Sequence, residues 1–300
     1  MTRRSFPVLF AVLLGVLLLV PPFPKAAAAD ASVTIGYLPL AARSETVMIR
    51  GTAPAGSAVD ISVNGTPVVR VYASQAMAVY AAPVPLQPGF NQITARLVGT
   101  EAVASASIYR VTASFTDLEA DPLRDDIEVL ATLGILSGDG TGRFLPEGRL
   151  TRAELATMLT LALGLPEGDP AVLSNFADAD AVPAWARPYV AAIYQAGLMQ
   201  GYPDGTFQPS RTLTRAELIA TVVRAVPAEA GGTGTAAGIA AAYPDVIPAW
   251  VEPYAERAAQ LELIGPFWGE QFQASDPATR RMAAAVIRRL VDLLRAPAAG

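Results

Sequence analysis

The sequence predicts a multidomain protein in which an all-β sandwich precedes an all-α array of helix–turn–helix units. Segments with a period of two fill the chain between an apolar N-terminal stretch and about residue 113. Helical periodicity takes over beyond that point. Within the helical part, the segment Gly138–Glu154 recurs without a gap at Gly201–Glu217, and a degraded third copy follows at Gly269–Met282. A fixed period of this size predicts a tandem array of one supersecondary unit.

Composition excludes several kinds of chemistry. The chain has no Cys and no His, which excludes thiol nucleophiles, thiolate metal sites and catalytic triads that contain His. The net charge of −5 argues against non-specific nucleic-acid binding. A glycine-rich loop from Ser137 to Gly142 resembles a calcium loop, but it lacks the full set of carboxylates and is interpreted as a tight turn. The sequence therefore predicts no metal site and no cofactor.

Residues 1–29 are typical of a signal peptide. Arg3 and Arg4 precede an apolar stretch that is short for a membrane span, and small residues at 27–29 offer a cleavage site before Asp30. An uncleaved membrane anchor is the alternative. Twin-arginine export is also compatible with this segment, although its hydrophobicity favours the general secretory route. We expect a secreted protein without a membrane anchor after cleavage.

Residues 32–113 predict about seven short strands, which fit a β-sandwich. Asn64-Gly65 between two β-branched runs is a strong hairpin signal, and Pro88-Gly89 marks another turn. The runs GTAPAGSAVDISVNGTPV and PLQPGFNQITARL resemble bacterial immunoglobulin-like domains. Such domains serve as spacers in surface proteins and glycan-acting enzymes, so this resemblance implies a spacer. A carbohydrate-binding role is the alternative.

The helical part divides into three units: 115–166 (unit 1), 176–226 (unit 2) and 243–295 (unit 3). Each reads as a helix, a glycine-rich turn and a second helix, and one such pair cannot bury its apolar face alone. Residues 227–242 lack periodicity and predict a flexible linker.

The sequence Thr-Arg-Ala-Glu begins the second helix of units 1 and 2. Thr followed three residues later by Glu predicts a capping box, which leaves Arg152 and Arg215 without a capping role. Arginine at the first helical position opposes the helix dipole. Beside free backbone N–H groups it indicates an anion site, whereas an ion pair to a carboxylate of a neighbouring unit is the structural alternative. Spacing alone leaves both readings open.

Further residues complete a family pattern. The three units open on Phe115-Thr116-Asp117, Phe176-Ala177-Asp178 and Tyr243-Pro244-Asp245, and unit 2 joins GYPDGTFQP to its TRAE segment. This combination resembles the S-layer homology family from Phe115 to Leu294. The resemblance implies a pseudo-threefold helical module whose inter-repeat grooves bind secondary cell-wall polysaccharide, typically its pyruvylated N-acetylmannosamine. The carbohydrate-binding candidates that it implies are Arg152, Arg215, Arg280, Asp117, Asp178, Asp245, Trp185 and Trp250.

Units 1 and 3 depart from this pattern. Pro122 stands where unit 2 has Trp185, and unit 3 keeps Arg280 but has Met282 in place of the capping Glu. Asp276-Pro277 could therefore cap the last helix three residues earlier. At most two competent grooves are expected, with Arg215 the first candidate and unit 3 the most diverged.

These observations predict a secreted, non-enzymatic cell-wall or cell-surface protein. Its partner would be a secondary cell-wall polysaccharide or a peptidoglycan-linked glycan, with no nucleic-acid partner and no membrane contact after cleavage. The oligomeric state is not predicted. An accessory of a glycan-acting enzyme and an S-layer lattice component, each using the same anchor, are the alternatives. A tether between an outer membrane and peptidoglycan is a weaker one.

Overall fold

A computed structural model describes residues 32–227 and 243–295. The predicted signal peptide and all but the first residue of the predicted linker 227–242 lie outside the described residues. An N-terminal β-sheet domain is followed by a helical region, as the sequence predicts. The protein resolves into two hydrophobic cores, one in each part.

The β-domain contains two sheets. A five-stranded sheet has the order β1-β7-β6-β3-β4, and β2 pairs with β5 in a second sheet. β1 pairs with β7 in parallel, and the other pairs are antiparallel. The strands are β1 Ala41–Ala42, β2 Thr46–Thr52, β3 Ala58–Val63, β4 Thr66–Tyr72, β5 Val79–Pro85, β6 Gly89–Leu97 and β7 Val103–Arg110.

Alternation along the strands positions these sheets. Ile49 from one sheet and Ile61 and Ile93 from the other are almost fully buried in one shared core, because every second side chain of a strand faces the same side. The predicted hairpin is confirmed: Asn64 and Gly65 join β3 to β4 with φ of 50° and 78°, as a two-residue hairpin turn requires.

The helical region keeps the predicted arrangement of helix, turn and helix. Gly134 and Gly197 end the first helices of units 1 and 2 with φ of 76° and 74°. Within the described residues, no helix combines the length and the apolar character needed to cross a bilayer. The helices are α1 Arg124–Thr132, α2 Arg152–Ala162, α3 Arg187–Gln195, α4 Arg215–Arg224, α5 Glu252–Gln260 and α6 Arg280–Arg295, with 3-10 helices at Pro170–Asn175, Ala179–Ala181 and Pro266–Trp268.

Both predicted capping boxes are present, at Thr151 for α2 and Thr214 for α4. The predicted earlier cap of α6 at Asp276 is wrong. α6 begins at Arg280, and the Thr279 hydroxyl accepts the amide of Met282 at 3.3 Å. The threonine half of the capping box is therefore kept in unit 3, whereas the bond from the N-cap amide to a glutamate side chain is lost with the glutamate.

A closed ring of backbone hydrogen bonds joins the three units. Leu150 N–H donates to Ala278 O at 2.9 Å, Ala278 N–H to Leu213 O at 2.8 Å, and Leu213 N–H to Leu150 O at 2.9 Å. Each of these residues lies just before the second helix of its unit. The segments that carry the TRAE arginines therefore meet at the centre of the helical region.

The β-domain is attached to unit 1 by buried contacts. Leu40 belongs to the hydrophobic core of the helical region. Arg43 pairs with the fully buried carboxylate of Glu128 at 2.6 Å and with Asp125. Glu128 also accepts the amide of Phe115, the first residue of unit 1, at 3.2 Å. These contacts fix the orientation of the β-domain on the helices.

Candidate functional site

The TRAE arginines occupy the first position of their helices, but the backbone N–H groups around them are not free. Arg152 N–H donates to Arg211 O, Arg215 N–H to Asp276 O, and Arg280 N–H to Gly148 O. The next amide of each helix likewise bonds a carbonyl of the same neighbouring unit. The anion site that the sequence left open as one of two alternatives therefore gains no support from free helix amides, because the following unit already satisfies them.

The arginine side chains bind the turns of neighbouring units in cyclic order. We define turn 1 as 137–145, turn 2 as 200–208 and turn 3 as 264–273. Arg152 of unit 1 donates to turn 2, through Nε to Phe207 O at 2.8 Å and Nη2 to Gln200 O at 2.7 Å. Arg152 is only 8% exposed.

Arg280 of unit 3 makes the equivalent contacts with turn 1. Its Nε donates to Phe144 O at 3.0 Å and its Nη2 to Ser137 O at 2.7 Å. Its Nη1 also pairs with Glu154 at 2.6 Å. This is the inter-unit ion pair that the sequence left as the structural alternative, and it closes the cycle from unit 3 back to unit 1.

Arg215 of unit 2 contacts turn 3, which has a different shape. Its Nη2 donates to Trp268 O at 2.6 Å and Gln271 O at 3.0 Å. The indole Nε1–H of buried Trp268 donates to Phe272 O at 3.2 Å. This carbonyl corresponds to Phe144 O and Phe207 O, which accept from Arg280 and Arg152. The buried Nε of Arg215 consequently has no hydrogen-bond partner among the described residues.

Each guanidinium also lies over an aromatic ring of the turn that it binds. The Arg152 guanidinium carbon is 4.6 Å from the ring centre of Tyr202 and 4.7 Å from that of Phe207. The corresponding distances are 4.5 Å for Arg215 and Trp268, and 4.6 Å for Arg280 and Phe144. Burial lowers the pKa of Arg152 and of Arg215, although arginine keeps its charge in proteins.

The three predicted aspartates share one hydrogen-bonding pattern. Asp117 accepts the amides of Phe144 and Leu145, both at 2.8 Å. Asp178 and Asp245 accept the corresponding pairs of amides in turns 2 and 3 at 2.7 Å. Both oxygens of each carboxylate therefore hold the turn of their own unit.

The two predicted tryptophans are exposed, unlike the aromatic residues under the turns. Trp185 and Trp250 are 54% and 55% exposed, and each precedes the first helix of its unit. Trp185 lines a groove of about 420 Å³ formed against turn 1, and Arg280 and Glu154 line the same groove. This groove brings together residues from all three units.

The groove combines an exposed indole, an apolar floor and charged groups, as small-molecule sites do. Arg280 and Trp185 are the sequence-predicted candidates within it. The floor and walls, which sequence reasoning missed, include Ile135, Leu136, Phe144, Leu145, Thr157 and Met158.

Sequence reasoning also missed Arg211. Its Nη1 donates to Glu217 at 2.8 Å and to the Tyr202 hydroxyl, and its side chain is 37% exposed. Its signal in the sequence is the contrast with Gly148 in unit 1 and Asp276 in unit 3 at the repeat-related positions. Elsewhere, residues 32–227 and 243–295 contain no carboxylate cluster that could hold a metal ion.

Comparisons with known proteins match parts of the helical region. The S-layer homology domain family model matches residues 114–156 and 175–219. The chain is 35% identical over 125 residues to an S-layer protein of Bacillus thuringiensis subsp. finitimus, covering 41% of this chain and 15% of that protein. It is 30% identical over 158 residues to a cellulosome-anchoring protein of Acetivibrio thermocellus, covering 52% of this chain and 35% of that protein.

Two other matches are narrower. A Bacillus anthracis protein named as an uncharacterized cell wall amidase is 34% identical over 90 residues, or 30% of this chain and 16% of that protein. A solved structure of fibronectin(III)-like modules of Clostridium thermocellum CbhA is 18% identical, with a TM-score of 0.23, and covers 26% of this chain and 94% of that one.

The cyclic helical units and the matched residues define the class of the helical region: this chain contains S-layer homology domains. Its place is the cell wall or cell surface. The chain spans well under two thirds of the length of the S-layer and anchoring relatives. Unit 3 lies beyond the residues that the family model matches.

Proposed function

We propose that the helical region anchors this protein non-covalently to the cell wall by binding an anionic, pyruvylated secondary cell-wall polysaccharide. The three units would act as one pseudo-threefold module, with the glycan held in grooves between them. The relatives named as S-layer and cellulosome-anchoring proteins support a wall-bound role.

The observation that carries this proposal is the groove at turn 1. Trp185 offers an exposed indole for the apolar face of a sugar ring, while Arg280 and Glu154 offer polar groups a short distance away. Arg280 presents little exposed surface and is committed to turn 1 and Glu154. Its part in sugar binding is therefore to hold the groove in shape and to supply positive charge beneath it.

The other predicted site residues also divide into those that would support a groove and those that would contact the glycan. Arg152 and Arg215 are buried against neighbouring turns, and the aspartates brace their own turns. We propose that these residues support the grooves, whereas Trp185 and Trp250 touch the glycan. The β-domain would be an immunoglobulin-like sandwich, fixed to unit 1, that carries no reaction of its own.

Purified wall sacculi test this proposal. We expect the protein to co-sediment with intact sacculi, and Trp185→Ala to reduce the bound fraction severalfold. Tyr72→Ala, on the β-domain and 68% exposed, is the matched control for an exposed aromatic residue. Full retention by sacculi stripped of their secondary polymer would contradict the proposal.

A lattice function is the second candidate, because relatives are named as S-layer proteins. It would use the same anchor and would add self-assembly. Ordered two-dimensional arrays of the purified protein, seen by electron microscopy, would establish it, and their absence on wall fragments that bind the protein would exclude it.

A further inference from the structure

The three contacts between a TRAE arginine and the next unit differ at one repeat-related position, which is residue 148, 211 or 276. The carbonyls of Arg211, Gly148 and Asp276 each accept the amide of a TRAE arginine from the preceding unit in the cycle. The side chains at this position are thus a cation in unit 2, none in unit 1 and a carboxylate in unit 3. The same fold therefore presents three different charges at one place.

In unit 2 this position gathers two cations around one ring. The guanidinium carbons of Arg152 and Arg211 lie 4.6 and 5.1 Å from the ring centre of Tyr202. The Arg211 guanidinium is the outer one, since its side chain is 37% exposed while Arg152 is buried.

One carboxylate, Glu217, acts on both cations, because its charge also raises the pKa of Arg152 against the effect of burial. It pairs with Arg211 at 2.8 Å, and its other oxygen accepts the amide of Thr214 at 2.9 Å. The neighbouring carboxylates are engaged elsewhere: Asp178 by two backbone amides, and Asp204 by the Thr206 amide and hydroxyl. By contrast, Arg280 has Glu154 to itself at 2.6 Å, and Asp276 raises the pKa of Arg215 against the effect of burial.

Arg211 also has unused donors. Both of its hydrogen bonds come from Nη1. In the described part of the chain, its Nε and Nη2 have no acceptor and are not buried. These two nitrogens form the edge that binds a carboxylate bidentately.

We propose that Arg211 is the residue that recognises the acidic substituent of the glycan, at turn 2. The carboxylate of a pyruvyl group would take the Nε and Nη2 edge of Arg211, with Arg152 supplying a second positive charge behind Tyr202. Glu217 competes for the same guanidinium and so limits the affinity. This inference rests on the proposed wall-glycan function and assigns the charge selection to turn 2.

Calorimetric titration of the whole protein with pyruvylated N-acetylmannosamine, and with the same sugar lacking pyruvate, tests the assignment. We expect Arg211→Ala to weaken binding of the pyruvylated sugar about tenfold or more, since a hydrogen bond to a charged group is lost. Binding of the sugar without pyruvate should stay unchanged. Arg96→Ala, an exposed arginine of β6 that is 53% exposed at its side chain, is the charge-matched control.

Glu217→Gln should change the affinity for the pyruvylated sugar in the opposite direction. Glutamine keeps an acceptor for the Thr214 amide, so the helix cap survives, while the competing charge is removed. We expect about threefold tighter binding of the pyruvylated sugar, and thermal unfolding must show both variants folded. Equal affinities of Arg211→Ala and the wild type would overturn this inference alone, whereas a wild-type protein that binds neither the sugar nor sacculi would overturn the proposed function itself.

Discussion

At the scale of single residues, the TRAE arginines join one unit to the next. Arg152 reaches carbonyls of turn 2 that lie 48 and 55 residues further along the chain. A buried carbonyl left without its donor costs about 1–3 kcal/mol. These arginines therefore hold the cycle of units together.

The first prediction concerns the stability that Arg152 provides. Arg152→Ala removes both donors and the cation over two rings, so we expect the free energy of unfolding to fall by about 2–5 kcal/mol. Urea denaturation measures this change. Arg96→Ala should leave the midpoint unchanged, and a similar midpoint for Arg152→Ala would contradict the assigned role.

A second prediction concerns acid stability. Burial alone would raise the pKa of Asp245, but hydrogen bonds from the Gln273 and Phe272 amides outweigh it and leave the pKa below its ordinary value. The same balance lowers the pKa of Asp117. A depressed native pKa stabilises the fold above the ordinary value of about 3.9, and that contribution is lost as pH falls through the native pKa.

Unfolding at two pH values checks this linkage. Asp245→Asn should cost about 1–3 kcal/mol at pH 7, because an amide replaces a charged acceptor of two N–H groups. Its difference from the wild type should shrink at pH 3. Glu119→Gln on the exposed surface is the control, and a cost that is equal at both pH values would rule out the linkage.

At the scale of elements, local signals predicted the structure well. The Asn64-Gly65 hairpin, the helix-ending glycines and the two capping boxes all depend on residues within four positions of each other. The end of unit 3 was harder to predict. Turn 3 has four residues, Gly269 to Phe272, where turn 2 has seven, Gly201 to Phe207. The indole N–H of Trp268 donates to the Phe272 carbonyl there, in place of an arginine.

The third prediction tests a cap. Thr214→Ala removes the acceptor of the Glu217 amide at the start of α4, so we expect a loss of about 1 kcal/mol. The thermal midpoint of the whole protein reports it. Thr116→Ala, on an exposed residue outside the helices, is the control. Equal losses in both variants would show that the hydroxyl at 214 has no special role.

At the scale of the whole molecule, buried contacts join the β-domain to the helical region. The resemblance to immunoglobulin-like domains implied a spacer. Nothing local in the sequence shows that Leu40 would enter the helical core or that Arg43 would reach Glu128, 85 residues away. The bonds of the TRAE arginines to carbonyls of the neighbouring turns escaped prediction for the same reason, although an ion pair between units was one of the two alternatives. Partners distant in sequence are decided by packing, which periodicity and spacing do not reveal.

The fourth prediction follows from this junction. Leu40→Asp would place a charge among buried apolar groups, a change that costs several kcal/mol. We expect the wild type to unfold in a single thermal transition and Leu40→Asp to unfold in two, with a larger radius of gyration in X-ray scattering. Tyr37→Asp, at a residue that is 90% exposed, should behave like the wild type. An unchanged single transition in Leu40→Asp would refute the rigid attachment.

The most direct test of wall anchoring is calorimetric titration of the whole protein with purified secondary cell-wall polymer, before and after chemical removal of its pyruvyl groups. We predict saturable binding of the pyruvylated polymer and a loss of affinity of at least about tenfold after depyruvylation. Equal affinity for the two polymers, or no binding of either, would contradict the assignment of the inter-unit grooves to an anionic wall glycan.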